Sequence, residues 1–221
     1  RSKLSNSIYT AYNPDGTLSR SDMISYCEDN NQILYYGSHD QFNIKPPATG
    51  SIPDSFDKLI GVRESPKSFL CELNEIQLIG ERAIPRMRNG KFILEEMGTD
   101  SMLKSRVMNT FGSLNTIEKL REISNLSSYE HDNHYSEPLI NLVPRHGAEH
   151  NDYINYGHWL VEDLPRLRAV EQYSRKTDQN PTLLIKNNPP SWVTDTLDLL
   201  GFSPSQCVEW SNHKARIDTM L

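Results

Sequence analysis

The feature that most limits the folds open to this chain is the rhythm of its last third, where short apolar runs alternate with stretches of helical length. Leu139-Ile-Asn-Leu-Val143 reads as a buried strand, Tyr156 to about Tyr173 as a helix, and Thr182-Leu-Leu-Ile185 as a second strand. A second helix follows, capped by Ser191 and running to Leu200, where Gly201 stops it. Gln206-Cys-Val-Glu-Trp210 is a third strand, and Arg216 to Leu221 begins a fourth. Strands and helices in this alternation predict a parallel sheet joined by right-handed crossovers. Ligands of such sheets bind beyond the carboxyl ends of the strands. The loop from Pro144 to Asn155 lies at such an end, directly before the first helix.

Upstream the pattern is weaker. Asn13-Pro-Asp-Gly16 is a turn signal, Pro46-Pro47, Gly50 and Pro53 mark a loop, and Gln32 to Tyr36 reads as a short strand within an otherwise open, polar segment. From Glu75 to Glu96 a hairpin is expected: Ile76, Leu78 and Glu81-Arg-Ala-Ile84 form one strand, Arg88-Asn-Gly90 supplies the turn, and Lys91-Phe-Ile-Leu-Glu-Glu96 returns. Between residues 99 and 137 one helix is expected around Thr116 to Ser124, with Asn115 as its cap. The chain therefore divides into residues 1–74, an irregular, β-containing polar segment, and residues 75–221, an α/β unit.

Composition narrows the function classes. The chain has 221 residues, a formal charge of −6 and 36% apolar residues. Nucleic-acid binding needs clustered Lys and Arg to neutralise phosphates. The densest basic stretch, Arg82 to Lys91, falls on the expected hairpin and reads as a solvated strand face. No apolar run approaches the about 20 residues that cross a bilayer. Cys27, Cys71 and Cys207 lie far apart without CxxC or Cys/His spacing, so neither zinc nor a disulfide scaffold is indicated. So sparse and odd a count suits a reducing compartment. The expectation is a cytoplasmic protein, with peripheral association at the membrane face as an extension of it. Both ends, Arg1 and Leu221 within a strand pattern, read as cuts.

The residues with chemistry crowd onto the first helix. His158 and Glu162 are four apart on one face, and Trp159 and Asp163 are four apart on the next. Leu160, Leu164, Leu167 and Glu171 form the stripe expected to face the core. Pro165 removes one backbone bond at a cost of about 3 kcal/mol and should loosen the turn before it, Val161 to Leu164, where the acidic pair sits. Each residue also has a structural use: His158 as a cap or core imidazole, Glu162 and Asp163 as a solvated acidic turn, Trp159 as core, Arg166 and Arg168 as balance for Glu162 and Glu171. In the preceding loop His146, Glu149 and His150 invite a metal reading, but the H-E-x-x-H order is absent and Pro144, Gly147 and Asn151 oppose a helix. No GxGxxG, Walker loop or GxSxG elbow is present.

The segment Asn155-Tyr-Gly-His-Trp-Leu-Val-Glu-Asp-Leu-Pro-Arg-Leu167 resembles the hallmark of glycosyltransferase family sixty-one, whose capsular-polysaccharide members carry "N-Y-x-H-W-L" followed by an acidic residue and "L-P-R-L". The likeness is carried by Asn155, Tyr156, His158, Trp159, Leu160, Leu164, Pro165, Arg166 and Leu167. It extends loosely over residues 75–221 and is motif-grade from 139 to 201. The resemblance implies a Rossmann-like domain forming the acceptor side of a two-domain, GT-B-like enzyme, with the donor domain beyond Leu221. A fragment without that domain is expected to be inactive. The implied reaction is inverting sugar transfer from a nucleotide-sugar donor to a glycan or polysaccharide acceptor, with no cofactor and no catalytic metal.

Such transfer needs a base for the acceptor hydroxyl and positive or N–H partners for the leaving diphosphate. His158, Asp163 and Glu162 are the base candidates, unranked between His158 and Asp163. Asn155, Trp159, Arg166 and Arg145 are the substrate-binding candidates, Trp159 by stacking on a sugar ring. Two other readings stay open: a non-catalytic carbohydrate- or partner-binding module with the same half-fold, and a metal-dependent hydrolase using His146, His150 and Asp152.

Overall fold

The computed structural model describes residues 17–37, 40–46, 50, 60–65, 68–80, 82–93, 133–144, 154–211 and 214–221. The expected turn at Asn13–Gly16, most of the loop around Pro47 and the helix at Thr116–Ser124 lie outside them. In chain order the elements are β1 (Thr17–Leu18), α1 (Arg20–Asp29), β2 (Ile33–Tyr36), β3 (Asp40–Ile44), β4 (Gly61–Ser65), β5 (Ser68–Cys71), β6 (Leu73–Ile79), β7 (Ile84–Arg86) and β8 (Phe92–Ile93). They continue as β9 (Asn133–Tyr135), β10 (Leu139–Asn141), α2 (Tyr156–His158), a π-helical turn (Trp159–Asp163), a 3-10 turn (Leu164–Arg166), α3 (Leu167–Thr177), β11 (Thr182–Lys186), α4 (Ser191–Leu199), β12 (Cys207–Trp210) and β13 (Lys214–Met220).

The protein is mixed α/β. Its main sheet runs β1-β8-β7-β6-β13-β10-β11-β12, with β9 also on β13. The expected strand–helix–strand–helix–strand run is present, and β10, β11 and β12 pair in parallel. The sheet as a whole is not parallel, however. The fourth strand, β13, pairs in parallel with β10 and antiparallel with β6, and β6, β7 and β8 continue antiparallel. β13 is thus the seam between a parallel half and an antiparallel half. Residue 74, the expected limit of the polar segment, lies inside β6.

Alternation explains why the strands read as unbroken apolar runs. Along β10, the two residues after Asn141, and β11, Leu139, Val143 and Leu184 face one core cluster, and Ile140, Leu142, Leu183 and Ile185 face the other. A strand buried on both faces carries apolar residues at every position. The second cluster lies under α3 and α4, through Leu167, Val170, Val193 and Leu197. The first is closed by Leu18, Met23 and Cys27 from the polar N-terminal segment.

The expected hairpin is a three-stranded meander. Its Arg88–Gly90 turn is present, with the Met87 N–H donating to the Lys91 carbonyl at 2.8 Å and Gly90 at φ +90°. The run Glu81–Ile84 is expected within the first strand, but Arg82 and Ala83 form a second turn and Ile84 begins β7. Gly80 and Ala83 both take positive φ, +70° and +48°. Two buried side chains from the parallel half hold this turn: Trp210 Nε1 donates to the Gly80 carbonyl at 2.8 Å, and Asn141 Nδ2 to the Ala83 carbonyl at 3.0 Å. The Gly80 carbonyl also accepts from the Ala83 N–H at 3.0 Å across the turn, so Trp210 is its second donor.

Helix α1, unforeseen in the sequence, starts at Ser19, whose Oγ accepts from the Asp22 N–H at 3.2 Å. Only Met23 and Cys27 on it are buried. Strands β2 with β5 and β3 with β4 form two further antiparallel ladders.

Candidate functional site

The segment from Asn155 to Leu167 begins as a capped helix and then widens. Asn155 keeps an extended backbone (φ −76°, ψ 118°), and its Oδ1 accepts from the His158 N–H at 3.1 Å. Gly157 leaves room for that cap, since a Cβ there would lie 3.3 Å from Asn155 Oδ1. The next turn is a π-turn, closed by the Leu164 N–H on the Trp159 carbonyl, five residues back. Pro165 accounts for it: its ring nitrogen cannot donate to Val161, and π-turns inside helices form where the regular ladder is interrupted. The loosened turn expected at Val161–Leu164 is therefore present, and it holds Glu162 and Asp163.

The expected core stripe is rotated. Leu160 and Val161 are 39% and 70% exposed, whereas Trp159, Asp163, Leu167 and Val170 are all buried. Size decides the rotation: burying an indole removes more apolar surface from water than burying a leucine. Trp159 is 0% exposed, its Nε1 donates to Thr196 Oγ1 on α4 at 2.9 Å, and its ring meets Trp192 edge-on at 6.3 Å between centroids. The stacking role expected of Trp159 is corrected on that ground, because a ring with no accessible face offers no platform to a sugar. The exposed ring beside it is Tyr156, edge-on to Trp192 at 5.1 Å.

The other candidates separate in the same way. His158 and Glu162 are brought together, with Nδ1 and Oε1 2.7 Å apart, and both remain partly exposed at 41% and 35% of their side-chain surface. A carboxylate only accepts, so this contact places the proton on Nδ1 and makes Nε2 the basic nitrogen. Asp163 is turned inward and is 3% exposed, so it does not share their surface. Arg166 Nη1 donates to the Asn141 carbonyl at 2.6 Å, which ties the helical segment to the carboxyl end of β10. Asn155 acts as the cap that sets the His158 backbone. Arg145 lies outside the described residues, as do His146, Glu149, His150 and Asp152.

Beside Arg166 a cavity of about 270 Å³ is lined by Arg20, Tyr36, Ser68, Cys71, Ile140 and Arg166 among others. Burial pushes the Tyr36 hydroxyl pKa up, against the pull of the Arg168 and Arg166 guanidinium groups. Sequence reasoning did not find this cavity, because β2 and β5 that wall it carry no motif.

Among the described residues no group of three or more His, Cys, Asp and Glu is placed to hold a metal ion, and no helix is long and apolar enough to cross a membrane. What the fold defines is a mixed α/β protein with a His–Glu pair that spans α2 and the π-turn beyond the end of a parallel strand. Comparison with protein-family models, with curated proteins and with solved structures returns no match.

Proposed function

We propose that these residues form the acceptor-side, Rossmann-like half of an inverting, GT-B-like glycosyltransferase that moves a sugar from a nucleotide-sugar donor to a glycan or polysaccharide acceptor. The observation that carries the proposal is the 2.7 Å contact between His158 Nδ1 and Glu162 Oε1 within the segment that resembles the family hallmark. A partly exposed imidazole whose tautomer is set by a carboxylate is equipped to take a proton from a sugar hydroxyl as its oxygen attacks the anomeric carbon. His158 is the proposed base, and Glu162 orients it and stabilises the imidazolium. Asp163, being buried, ranks below His158 for this role.

Tyr156, exposed on the same turn of helix, replaces Trp159 as the proposed sugar contact. Arg166 is proposed to hold the helical segment on β10. The antiparallel half of the sheet departs from an all-parallel half-domain, so support for the family reading is concentrated in β10 to β12 and the helices between them.

The test is donor turnover by the parent protein that contains these residues, with a panel of nucleotide sugars and glycan acceptors. His158→Ala should lower turnover by about 10²-fold or more, and Glu162→Gln by less, with the fold retained by circular dichroism. Glycan binding without turnover of any donor would instead mark a binding module. Near-normal turnover by His158→Ala would remove the assignment of the base.

A further inference from the structure

The three cysteines are remote in sequence, but two of them meet in the fold. Cys27 is on the last turn of α1 and is fully buried, and Cys71 ends β5 and is also buried. The backbone stitches their neighbourhoods together through Gln32, whose N–H donates to the Cys27 carbonyl at 2.7 Å and whose carbonyl accepts from the Glu72 N–H at 2.8 Å. Ile33, which follows Gln32, stands directly opposite Cys71 in the β2–β5 ladder. Both side chains belong to one core cluster, while Cys207 packs against the cluster on the other face of the sheet. Cys71 and Arg20 both line the 270 Å³ cavity.

We propose that Cys27 and Cys71 are a redox-active dithiol that closes to an intramolecular disulfide by exchange with a small disulfide reaching Cys71 through this cavity. Hydrogen bonding with the Cys71 thiol lowers the Cys27 pKa, against burial and the Glu72 carboxylate, which raise it. A thiolate is the attacking species in such exchange. Cys71 attacks one sulfur of the oxidant, the S–S bond of the oxidant breaks, and the first thiolate leaves as a thiol with the Cys71 proton. Cys27 then attacks Cys71 in the mixed disulfide, and the second thiolate leaves. The two protons of the pair end on the two departing thiols, and the two electrons reduce the oxidant. The new bond ties α1 to β5 and closes the chain from residue 27 to residue 71, which stabilises by constraining the unfolded chain.

The probe is the full chain equilibrated across a series of oxidised and reduced glutathione, then denatured, alkylated and mapped without reduction. The expected result is a fall from three alkylated cysteines to one, a Cys27–Cys71 linked peptide, and a Tm raised by about 5–15 °C. Cys207→Ala should keep both the link and the shift, and Cys71→Ser should lose both. Three alkylated cysteines throughout the oxidised range would overturn the proposal. So would glutathione adducts on Cys27 or Cys71 without the internal link.

Discussion

The burial of Trp159 makes a sharp prediction, because the same side chain would behave differently as a ligand platform. Its indole N–H donates to Thr196 Oγ1 inside the interface between the π-turn and α4. Thr196→Val is nearly isosteric but removes the acceptor. A buried N–H left without a partner costs about 1–3 kcal/mol. The Thr196 hydroxyl itself donates to the Val193 carbonyl at 2.9 Å, so removing the indole donor instead leaves the threonine satisfied. Trp159→Phe should therefore lose a net hydrogen bond of about 1 kcal/mol, plus the packing of the smaller ring. The two changes act on one contact, so the double variant should be less destabilised than the sum by about 1 kcal/mol, whereas independent sites add to within about 0.5 kcal/mol. Urea unfolding of the four proteins at constant m-value measures the coupling. Additive costs would refute the hydrogen bond. A loss of glycan affinity in Trp159→Phe at unchanged stability would refute burial itself.

Three further outcomes are expected. Asn141 satisfies two buried backbone groups, the Ala83 carbonyl and the Val143 N–H. Asn141→Ala should accordingly cost about 2–4 kcal/mol in urea unfolding, and a cost near zero would mean that neither group depends on it. Burial, and then the Glu72 carboxylate, push the Tyr173 hydroxyl up to about 12. A raised pKa favours the neutral hydroxyl in the folded state, so its contribution is intact below about pH 10, where the unfolded phenol ionises, and is lost as pH rises through about 12. Tyr173→Phe should flatten the alkaline decline of stability by up to about 2 kcal/mol, and an unchanged slope between those values would count against it. Arg88 and Glu75 form an exposed ion pair at 3.0 Å, and Glu75→Gln should shift stability by less than about 1 kcal/mol, since solvent screens it.

The parts of the fold legible in the sequence are those where one local pattern decides the structure. Residues 139–141 and 182–186 announce themselves because both faces are buried, and Arg88–Gly90 because a tight turn needs its glycine. Pro165 likewise marked the loosened turn. Helix α1 escaped because Met23 and Cys27 are the only residues it buries, too few to set a period, although Ser19 with Asp22 offered a capping signal. The Gly80–Ala83 turn escaped because its carbonyls are held by Asn141 and Trp210, residues far along the chain. In the site, the His158–Glu162 pair follows from spacing alone. The inward rotation of Trp159 and Asp163 does not, because it depends on Thr196 and Trp192 of a separate helix.

The position of β13 carries a consequence for how the molecule is made. This strand is the last of the described elements in the chain, yet it lies inside the sheet between β6 and β10. During synthesis β6 to β8 emerge as a meander and β10 to β12 as a parallel unit, each with an open edge waiting for the same strand. Contacts of such long sequence separation form slowly, and unpaired edges are where nascent chains pair with the wrong neighbour. Until residues 214–220 leave the ribosome, no described strand pairs with both β6 and β10, so the vulnerable interval for this protein falls at the end of its translation through this region.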